Sequence, residues 1–512
     1  MVVVQKKMNP DYRSSALFPI YINKDLENDI VFLNYWKKKN DLSNVKFVSS
    51  LWSSDGVILG KKIKEISEIP YASTIKVNDE FSSELNKINK NGFVAYLEVE
   101  VFFEKEPLIK YPALILNYKD KQNSSYVHSC LRRFNPGEDA IEENHKKNQT
   151  GFNIYTNSGV DNYLIFVGGT QPIYDLKFTF EDRENKICKD LKLDNKNNNQ
   201  LFEINLTSLI KDCEFEDNNL KVSIDHDSID VFSRFYVGNY EKGKIPTLTH
   251  TFFDEQESKN PALIKNQELI NNDAFYNASF SFPILDTRKF ETSLASYASN
   301  AIWKGIAILE ILDKEGNVIF NEQHDVNDNF FLFKTNVLNV NKICEKNKIN
   351  SKNKTFKVSF KKNVDDKNVF PSRQKFGLNY NLIGDKSRGC NICFSPLILN
   401  DYQFNKKRSV TWGPIGGKEN IVFVFMNTSI KTKKDFNNSL NIDFINSAGE
   451  TLSKEFTLMN DECLMLDVKK EIYLEEHFGP DIGWCFCNTD NNFYNSWYFS
   501  VGKENIGGDH CF

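Results

Sequence analysis

The sequence predicts an all-β protein made of four tandem antiparallel β-sandwich repeats of about 130 residues each. Three observations support this prediction. The chain has 512 residues, whereas a single hydrophobic core stops growing at about 250–300 residues. A hairpin signature recurs four times at nearly constant spacing. A second pair of short strands recurs late in each repeat, and short strands with frequent turn signals are typical of sandwiches.

The recurring hairpin marks one position in every repeat. An apolar strand leads into a polar turn that contains Gly56, Asn185, Gly316 or Gly449, and these positions are 129, 131 and 133 residues apart. In the last three copies, an Asp or Asn stands three residues earlier. That spacing predicts a type I turn closed by a left-handed residue, a conformation that Gly adopts without strain and Asn tolerates.

The late strand pair contains the most distinctive residues. Asn117 and Asn239 are each followed by a Tyr and, eleven residues after the Asn, by His128 and His250. The matching strand of the last repeat contains His510. Because the same residue type recurs at one structural position, these histidines predict a shared role, either in the fold or at a repeated site.

The spacing also predicts the domain limits. Polar, charged segments separate the repeats, as expected of linkers. The strand rhythm resembles that of immunoglobulin-like and fibronectin-like sandwiches, although the Cys…Trp…Cys spacing of true immunoglobulin domains is absent. The predicted β-sandwich (Ig-like) repeats cover residues 1–137, 148–256, 273–400 and 407–512.

Composition narrows the classes of function. The net charge is −5, and no basic stripe follows the chain, so we expect no nucleic-acid partner. The first residues lack the apolar run of a signal peptide, and no stretch reaches 18 uncharged apolar residues. We therefore expect a cytoplasmic protein without a transmembrane segment, with signal-independent export as the alternative. The ten cysteines are expected to be mostly reduced and buried.

The three histidines suggest a metal site, because neutral imidazole is the commonest metal ligand. Cys130 and Cys511 lie nearby, and in the third repeat Asn391 aligns with the histidines. The alternative is a structural His bonded to a loop carbonyl, since the neighbouring position alternates between Cys and Phe, as a small hydrophobe in a core does. The candidate metal ligands are His128, His250 and His510.

Other residues suggest weaker sites. Aromatic pairs could stack on sugar rings or, alternatively, fill the core or the seams between repeats. The acidic run from Asp225 to Asp230 could bind Ca²⁺ or lie at a solvated strand end. No catalytic residue and no cofactor motif is predicted. The candidate sugar-binding residues are Tyr35, Trp36, Trp497 and Tyr498.

Three functional hypotheses follow. Tandem copies of one sandwich add reach or avidity rather than chemistry, so the first is a non-enzymatic scaffold, spacer or adhesion protein that binds a protein or polysaccharide surface. The second is a carbohydrate-binding or polysaccharide-modifying protein. The third is a metal-linked assembly through the repeated His. The sequence leaves the oligomeric state open. Four repeats in a row predict an elongated molecule, unless the linkers fold it into a ring.

Overall fold

The structure of the protein is a computed structural model. It describes residues 12–42, 45–88, 91–103, 112–133, 149–155, 159–173, 176–182, 187–193, 198–213, 219–226, 231–232, 234–241, 243–254, 276–297, 305–326, 337–362, 375–384, 389–398, 408–428 and 439–512. The predicted domain limits at 137, 148, 256, 273, 400 and 407 lie outside these ranges and remain predictions.

The first repeat is a sandwich of two four-stranded antiparallel sheets. One sheet has the strand order β1-β6-β3-β4 and the other β5-β2-β7-β8. The strands of repeat 1 are β1 Tyr12–Ile22, β2 Glu27–Leu33, β3 Val45–Ser53, β4 Ile58–Glu65, β5 Ala72–Lys76, β6 Gly92–Phe103, β7 Ile115–Lys119, β8 Ser124–His128 and β9 Arg132–Arg133.

The other three repeats follow the same order of eight strands in two sheets, and repeats 2 and 3 add one more strand beside the first. The short strand β9 of repeat 1 lies outside these sheets and pairs with Val231–Phe232 of repeat 2. Repeat 2 contains β10 Gln149–Tyr155, β11 Asn162–Val167, β12 Leu176–Glu181, β13 Ile187–Leu193, β14 Leu201–Asn205, β15 Asn219–Asp225, β16 Val231–Phe232, β17 Tyr236–Asn239, β18 Thr247–His250 and β19 Phe252–Asp254. Repeat 3 contains β20 Tyr276–Ile284, β21 Phe290–Tyr297, β22 Gly305–Leu312, β23 Val318–Val326, β24 Val337–Asn339, β25 Lys354–Lys362, β26 Lys375–Leu382, β27 Cys390–Phe394 and β28 Leu397–Ile398. Repeat 4 contains β29 Ser409–Gly416, β30 Val422–Met426, β31 Ser439–Ile445, β32 Thr451–Thr457, β33 Cys463–Leu466, β34 Ile482–Thr489, β35 Asn495–Val501 and β36 Ile506–His510. The fold class of four tandem antiparallel sandwich repeats is confirmed.

The recurring hairpin joins the third and fourth strands of each repeat. Gly56, Gly316 and Gly449 have φ angles of 83°, 84° and 86°, so all three are left-handed, as predicted for Gly316 and Gly449. The side chain of Asp313 accepts a hydrogen bond from the Asn317 backbone N–H at 2.8 Å, which closes the turn. The turn around Asn185 lies outside the described residues.

Short helices cross between the two sheets of each repeat. In repeats 2 and 4, Leu206–Leu209 (α4) and Ile472–Phe478 (α6) lie between the fifth and sixth strands, which belong to different sheets. The Asn205 side chain caps α4 by accepting from the Ser208 backbone N–H. The helices are α1 Tyr35–Asn40, α2 Val77–Glu80, α3 Ser82–Leu85, α4 Leu206–Leu209, α5 Val340–Lys346 and α6 Ile472–Phe478, with 3₁₀ turns at Ile66–Glu68 and Val468–Lys470.

The four repeats form a closed ring. The second sheet of each repeat packs on the first sheet of the repeat before it, through contacts of β11 with β1, β21 with β10, β35 with β20 and, across the ends of the ring, β5 with β34. The eighth strands lie in the centre, where β8 contacts β18, β18 contacts β27, β27 contacts β36 and β36 contacts β8. One buried apolar cluster joins repeats 1, 2 and 4, and a second joins repeat 3 to repeat 4. Of the two arrangements that the sequence left open, an elongated molecule and a ring, the structure has the ring.

Equivalent hydrogen bonds hold successive repeats together. The Tyr236 hydroxyl of repeat 2 donates to the Leu17 carbonyl of repeat 1 at 2.8 Å. The Trp497 indole of repeat 4 donates to the Ser281 carbonyl of repeat 3 at 3.1 Å. Leu17 and Ser281 each directly precede a Phe-Pro pair in the first strand of their repeat, so the two bonds occupy the same place in the repeated interface.

Candidate metal centre

The three repeated histidines end the central strands β8, β18 and β36. Their positions are equivalent for two reasons. Each His pairs with a residue of the first strand of its hairpin. The residue after each His donates its backbone N–H to the residue that precedes this pairing partner in the chain. A two-stranded antiparallel ladder fixes the side-chain face, so all three side chains point towards the axis of the ring. The pairs are His128 with Ile115, His250 with Tyr236, and His510 with Trp497.

Ring closure brings these side chains together. One ring nitrogen from each of His128, His250 and His510 lies within 4.8 Å of the other two. The His128 ring is 4.5 Å from the centroids of both other rings. The residues come from three different repeats, and 382 positions separate His128 from His510 along the chain. The cluster therefore depends on how the repeats pack rather than on any local motif.

Hydrogen bonds define the tautomer of each ring. Nδ1 of His250 lies 2.8 Å from the Thr251 carbonyl oxygen, and Nδ1 of His510 lies 2.9 Å from the Cys511 carbonyl oxygen. A carbonyl only accepts, so each Nδ1 bears the proton and Nε2 presents its lone pair. This is the arrangement in which imidazole binds a metal, with the other ring nitrogen bonded to an oxygen.

Asp509 gives His128 the same orientation. Its Oδ2 lies 2.8 Å from Nδ1 of His128 and accepts from the His128 backbone N–H at 3.2 Å. Its Oδ1 accepts from the His510 backbone N–H at 2.8 Å. Burial raises the pKa of Asp509, but His128 and His510 more than compensate and hold that pKa below its ordinary value. A carboxylate behind a ligating His is the outer partner that metal sites use to orient the ring.

The geometry fits a transition-metal ion after a small adjustment. Nitrogen ligands at 2.0–2.1 Å in a tetrahedral site are about 3.4 Å apart. Starting from 4.8 Å or less, each nitrogen must move inwards by at most about 0.8 Å. The three imidazoles are neutral when they bind a metal, so only the nearby carboxylate, Asp509, balances part of the charge of a divalent ion. Within the described part of the chain, no fourth His, Cys, Asp or Glu joins the cluster.

A cavity adjoins the histidines. It has a volume of about 350 Å³ and reaches His250 and His510. Polar side chains from three repeats line it, among them Arg234, Thr411 and Ser496. The Thr411 and Ser496 hydroxyl oxygens lie 2.9 Å apart. His128 and His250 are buried and His510 is half-buried, and the cluster adjoins a space that a small molecule could occupy.

The predicted match of Asn391 with the histidines is wrong. Asn391 pairs with Asn379, and its side chain donates to the Asn379 side chain at 2.5 Å. In repeat 2, His250 pairs with Tyr236, three residues before Asn239. In repeat 3, Phe394 pairs with Phe376, three residues before Asn379. Phe394 therefore occupies in repeat 3 the position that His250 has in repeat 2. Phe394 lines the same cavity, so the third repeat contributes an apolar ring where the others contribute imidazoles.

The four aromatic residues proposed to bind sugar are buried. Tyr35 and Trp36 are each 1% exposed, Trp497 is 1% exposed and Tyr498 is 0% exposed. Tyr35 stacks on Trp412 of repeat 4 at 5.3 Å. Tyr498 meets Tyr126 of repeat 1 edge-on at 5.6 Å. These side chains fill the core and the seams between repeats, so they form no surface on which a sugar ring could stack.

The cysteines do not add ligands to the cluster. The structure describes the side chains of nine of the ten; none of these nine forms a disulfide, and seven are buried. Burial raises the pKa of both Cys390 and Cys511, and neither sulfur belongs to the cluster of ligand atoms. Cys390 instead donates to the Gly508 carbonyl at 3.1 Å. In the acidic run, Asp225 is exposed, and residues 227–230 lie outside the described ranges.

Comparisons with known proteins give no family. No family model matches the chain, and no curated protein matches it. Among solved structures, it is similar to a tetra-tandem repeat in the extending region of a large adhesion protein, with 9% identity over 98% of both chains and a TM-score of 0.10. It is also similar to the α2-macroglobulin of Escherichia coli, with 9% identity, coverage of 96% of this chain and 28% of that chain, and a TM-score of 0.10. For the α2-macroglobulin of Salmonella, the identity is 9%, the coverage is 95% of this chain and 29% of that chain, and the TM-score is 0.09. TM-scores this low carry no argument about function.

The helices were also compared with the length of a membrane span. Within the described residues, no helix is both long and apolar enough to cross a bilayer.

Proposed function

We propose that this protein is a non-enzymatic scaffold of four β-sandwich repeats whose ring is held closed by one divalent transition-metal ion. The ligands are Nε2 of His128, His250 and His510. The observation that supports the proposal is the convergence of three histidines from three repeats, within 4.8 Å, with each Nδ1 turned towards an oxygen. The aromatic residues of the carbohydrate hypothesis are buried and lend it no support.

Zinc suits this site best. Imidazole nitrogen is a ligand for Zn, Cu, Fe and Ni, and zinc accepts a tetrahedral arrangement without a geometric preference of its own. The Asp509 carboxylate, bonded to His128 at 2.8 Å, raises the basicity of that ring and partly balances the charge of the ion.

The ion would act where the chain does not connect the repeats. Repeat 1 is linked to repeat 2, repeat 2 to repeat 3, and repeat 3 to repeat 4, whereas repeats 4 and 1 meet only through non-covalent contacts. His128 of repeat 1 and His510 of repeat 4 lie on the two sides of that seam. An ion bound by both stabilises the closed ring by the free energy of its binding.

The periphery of the ring supports a scaffold role. The fourth strand forms the outer edge of the first sheet in each repeat. On β4, Ile58 and Ile63 are more than half exposed, and on β23 Val318 is also more than half exposed. Exposed strand edges can accept a strand from another protein. A ring that repeats such an edge offers several equivalent binding positions to a protein or polysaccharide surface.

Metal analysis of the purified chain tests the proposal. Inductively coupled plasma mass spectrometry should find one zinc ion per chain after the metal-stripped protein is reloaded and desalted. His128→Gln, His250→Gln and His510→Gln should each weaken zinc binding at least about 100-fold, because two imidazoles hold zinc poorly. His324→Gln is the matched control, because His324 lies on β23, away from the cluster.

The same preparation tests the structural role. Zinc at 100 times its dissociation constant stabilises the folded protein by about 2.7 kcal/mol, so the loaded form should unfold at a higher temperature than the stripped form. A chain that retains no metal after reloading would overturn the proposed function. Equal zinc binding by the cluster variants and the His324→Gln control would do the same.

A further inference from the structure

We infer that the bound ion keeps one coordination position open to the adjoining cavity and that this position takes a small anion. The inference rests on the proposed function, because it requires a metal ion on the three histidines. It goes beyond a structural role, because structural zinc sites have four protein ligands, whereas sites with three protein ligands hold water or a substrate in the fourth position.

The ligand count supports an open position. Within the described residues the cluster contains three donors. The nearest acidic side chain, Asp509, is already committed, since its two oxygens bond to the His128 side chain and to two backbone N–H groups. Cys511 lines the cavity, but its sulfur does not belong to the cluster of ligand atoms within 4.8 Å of one another. The fourth ligand of a tetrahedral ion must then come from the solvent or from the cavity.

The cavity leads to the ion. His250 and His510 form part of its wall, while His128 is 5% exposed and does not line it. An ion on the three imidazoles is therefore screened on the His128 side and faces the cavity beside the other two. The volume of about 350 Å³ lies at the lower end of the range of ligand pockets, about 300–1,000 Å³. It accommodates a carboxylate with a short carbon chain.

The wall chemistry favours an anion. Arg234, whose guanidinium is charged at every physiological pH, lines the cavity together with the Thr411 and Ser496 hydroxyls. The wall contains no Asp or Glu among the described residues. A divalent ion at one end and an arginine in the wall both attract negative charge. Apolar rings, including Phe394 and Tyr494, form the rest of the wall and suit the carbon part of a carboxylate.

Cobalt(II) gives this position a visible signature. The stripped, full-length protein is loaded with one equivalent of cobalt(II), whose d–d absorption changes when a ligand enters or the geometry changes from four- to five-coordinate. Azide and, separately, acetate are then titrated at constant ionic strength. We expect each anion to shift the spectrum in a saturable way, with one anion bound per metal.

Arg234→Gln tests the place of entry. The variant keeps all three ligands, so cobalt(II) should bind as in the unmodified protein, while the dissociation constants of azide and acetate rise about tenfold through loss of the wall charge. Arg288→Gln is the control, because Arg288 is exposed and bonded to Asp286, outside the cavity.

The outcomes separate the two proposals. Failure to bind cobalt(II) or zinc would overturn the proposed function. Binding of the metal with a spectrum unchanged by both anions would leave the proposed function standing and overturn the open position. A spectral shift that Arg234→Gln does not weaken would show that the anion does not reach the ion through this cavity, which would also overturn the inference.

Discussion

Asp509→Asn isolates the residue that joins the two ends of the ring. Asn has nearly the same shape as Asp, but one of its two terminal atoms is a donor. Asp509 accepts at both oxygens, from His128 at 2.8 and 3.2 Å and from the His510 backbone at 2.8 Å. Either orientation of the Asn amide therefore places an NH₂ group against an N–H donor, inside a site where the side chain is buried.

The expected cost follows from these contacts. A hydrogen bond to a charged group contributes about 1.5–3 kcal/mol. The substitution removes at least one such bond and leaves a buried N–H donor facing the NH₂ group of the Asn. We expect a loss of about 2–4 kcal/mol in the metal-free protein. For a cooperative unit of 150–250 residues, each kcal/mol lowers the melting temperature by about 2–4 °C, so calorimetry should show a decrease of about 4–16 °C.

Asp443→Asn is the matched control for this substitution. Asp443 also belongs to repeat 4 and pairs with a lysine of repeat 1, Lys38, at 3.1 Å, but both side chains are 26% exposed. Solvent-accessible ion pairs contribute less than about 1 kcal/mol. If Asp509→Asn lowers the melting temperature no more than Asp443→Asn does, Asp509 does not hold the seam in the way described.

The stability difference should also depend on pH. The pKa of Asp509 is lowered in the folded protein, so its contribution is present above the unfolded pKa, about 3.9, and is lost as the pH falls through the folded value. The gap between the parent protein and Asp509→Asn should narrow as the pH falls below about 4. A gap that does not narrow on acidification through this range would contradict the assignment.

The remaining predictions concern the ring and its core. Small-angle scattering should give a radius of gyration of about 25 Å for the closed ring, whereas four sandwiches in a row would give about 40 Å. Trp497→Phe should lower the free energy of unfolding by about 1–3 kcal/mol, because it leaves the buried Ser281 carbonyl without the indole donor. Trp484→Phe is the control, since the Trp484 indole is buried and makes no hydrogen bond within the described residues. The control should lose less stability in thermal unfolding. Burial raises the pKa of Cys485 and Cys487, so iodoacetamide at pH 8 should leave both unmodified in the native protein. After denaturation it should modify all ten cysteines. Modification of Cys485 or Cys487 in the native protein would contradict the packing.

Local features of the fold could be predicted from the sequence because they depend on a few adjacent residues. A turn that needs a left-handed residue accepts Gly with little strain, so Gly316 and Gly449 identified the hairpins of their repeats, and both have positive φ. These signals repeat, and repetition makes a weak local signal reliable.

Register could not be predicted in the same way. Asn391 was matched with the histidines because of its distance from Asn379 along the chain. The loop between the two strands sets which residues face each other, and in repeat 3 Asn379 faces Asn391 itself, whereas in repeat 1 Asn117 faces Tyr126. A shift of this kind places another residue, Phe394, at the centre of the ring.

Contacts between repeats also escaped prediction. Tyr35 and Trp497 resemble exposed binding aromatics when one repeat is considered alone, but Tyr35 stacks on Trp412 of repeat 4 and Trp497 donates to the Ser281 carbonyl of repeat 3. Asp509 stands directly before His510 in the sequence, but its role towards His128 requires the first and last repeats to meet. The candidate ligands were identifiable from recurrence, and their convergence was not, because closure of the ring depends on the summed geometry of four interfaces.

Closure of the ring and binding of the ion are thermodynamically linked. Heterologous interfaces between like units close into a ring only if their rotations add up to a full turn, and otherwise continue as a filament. Here the last interface, between repeats 4 and 1, has no peptide linker and instead carries the Asp509–His128 pair. Three ligands from repeats 1, 2 and 4 converge only when that interface is made, so the ion binds the closed state and shifts the equilibrium towards it. Under the proposed function, the apparent affinity for zinc is proportional to the fraction of closed ring, so a substitution that opens the seam weakens zinc binding as that fraction falls.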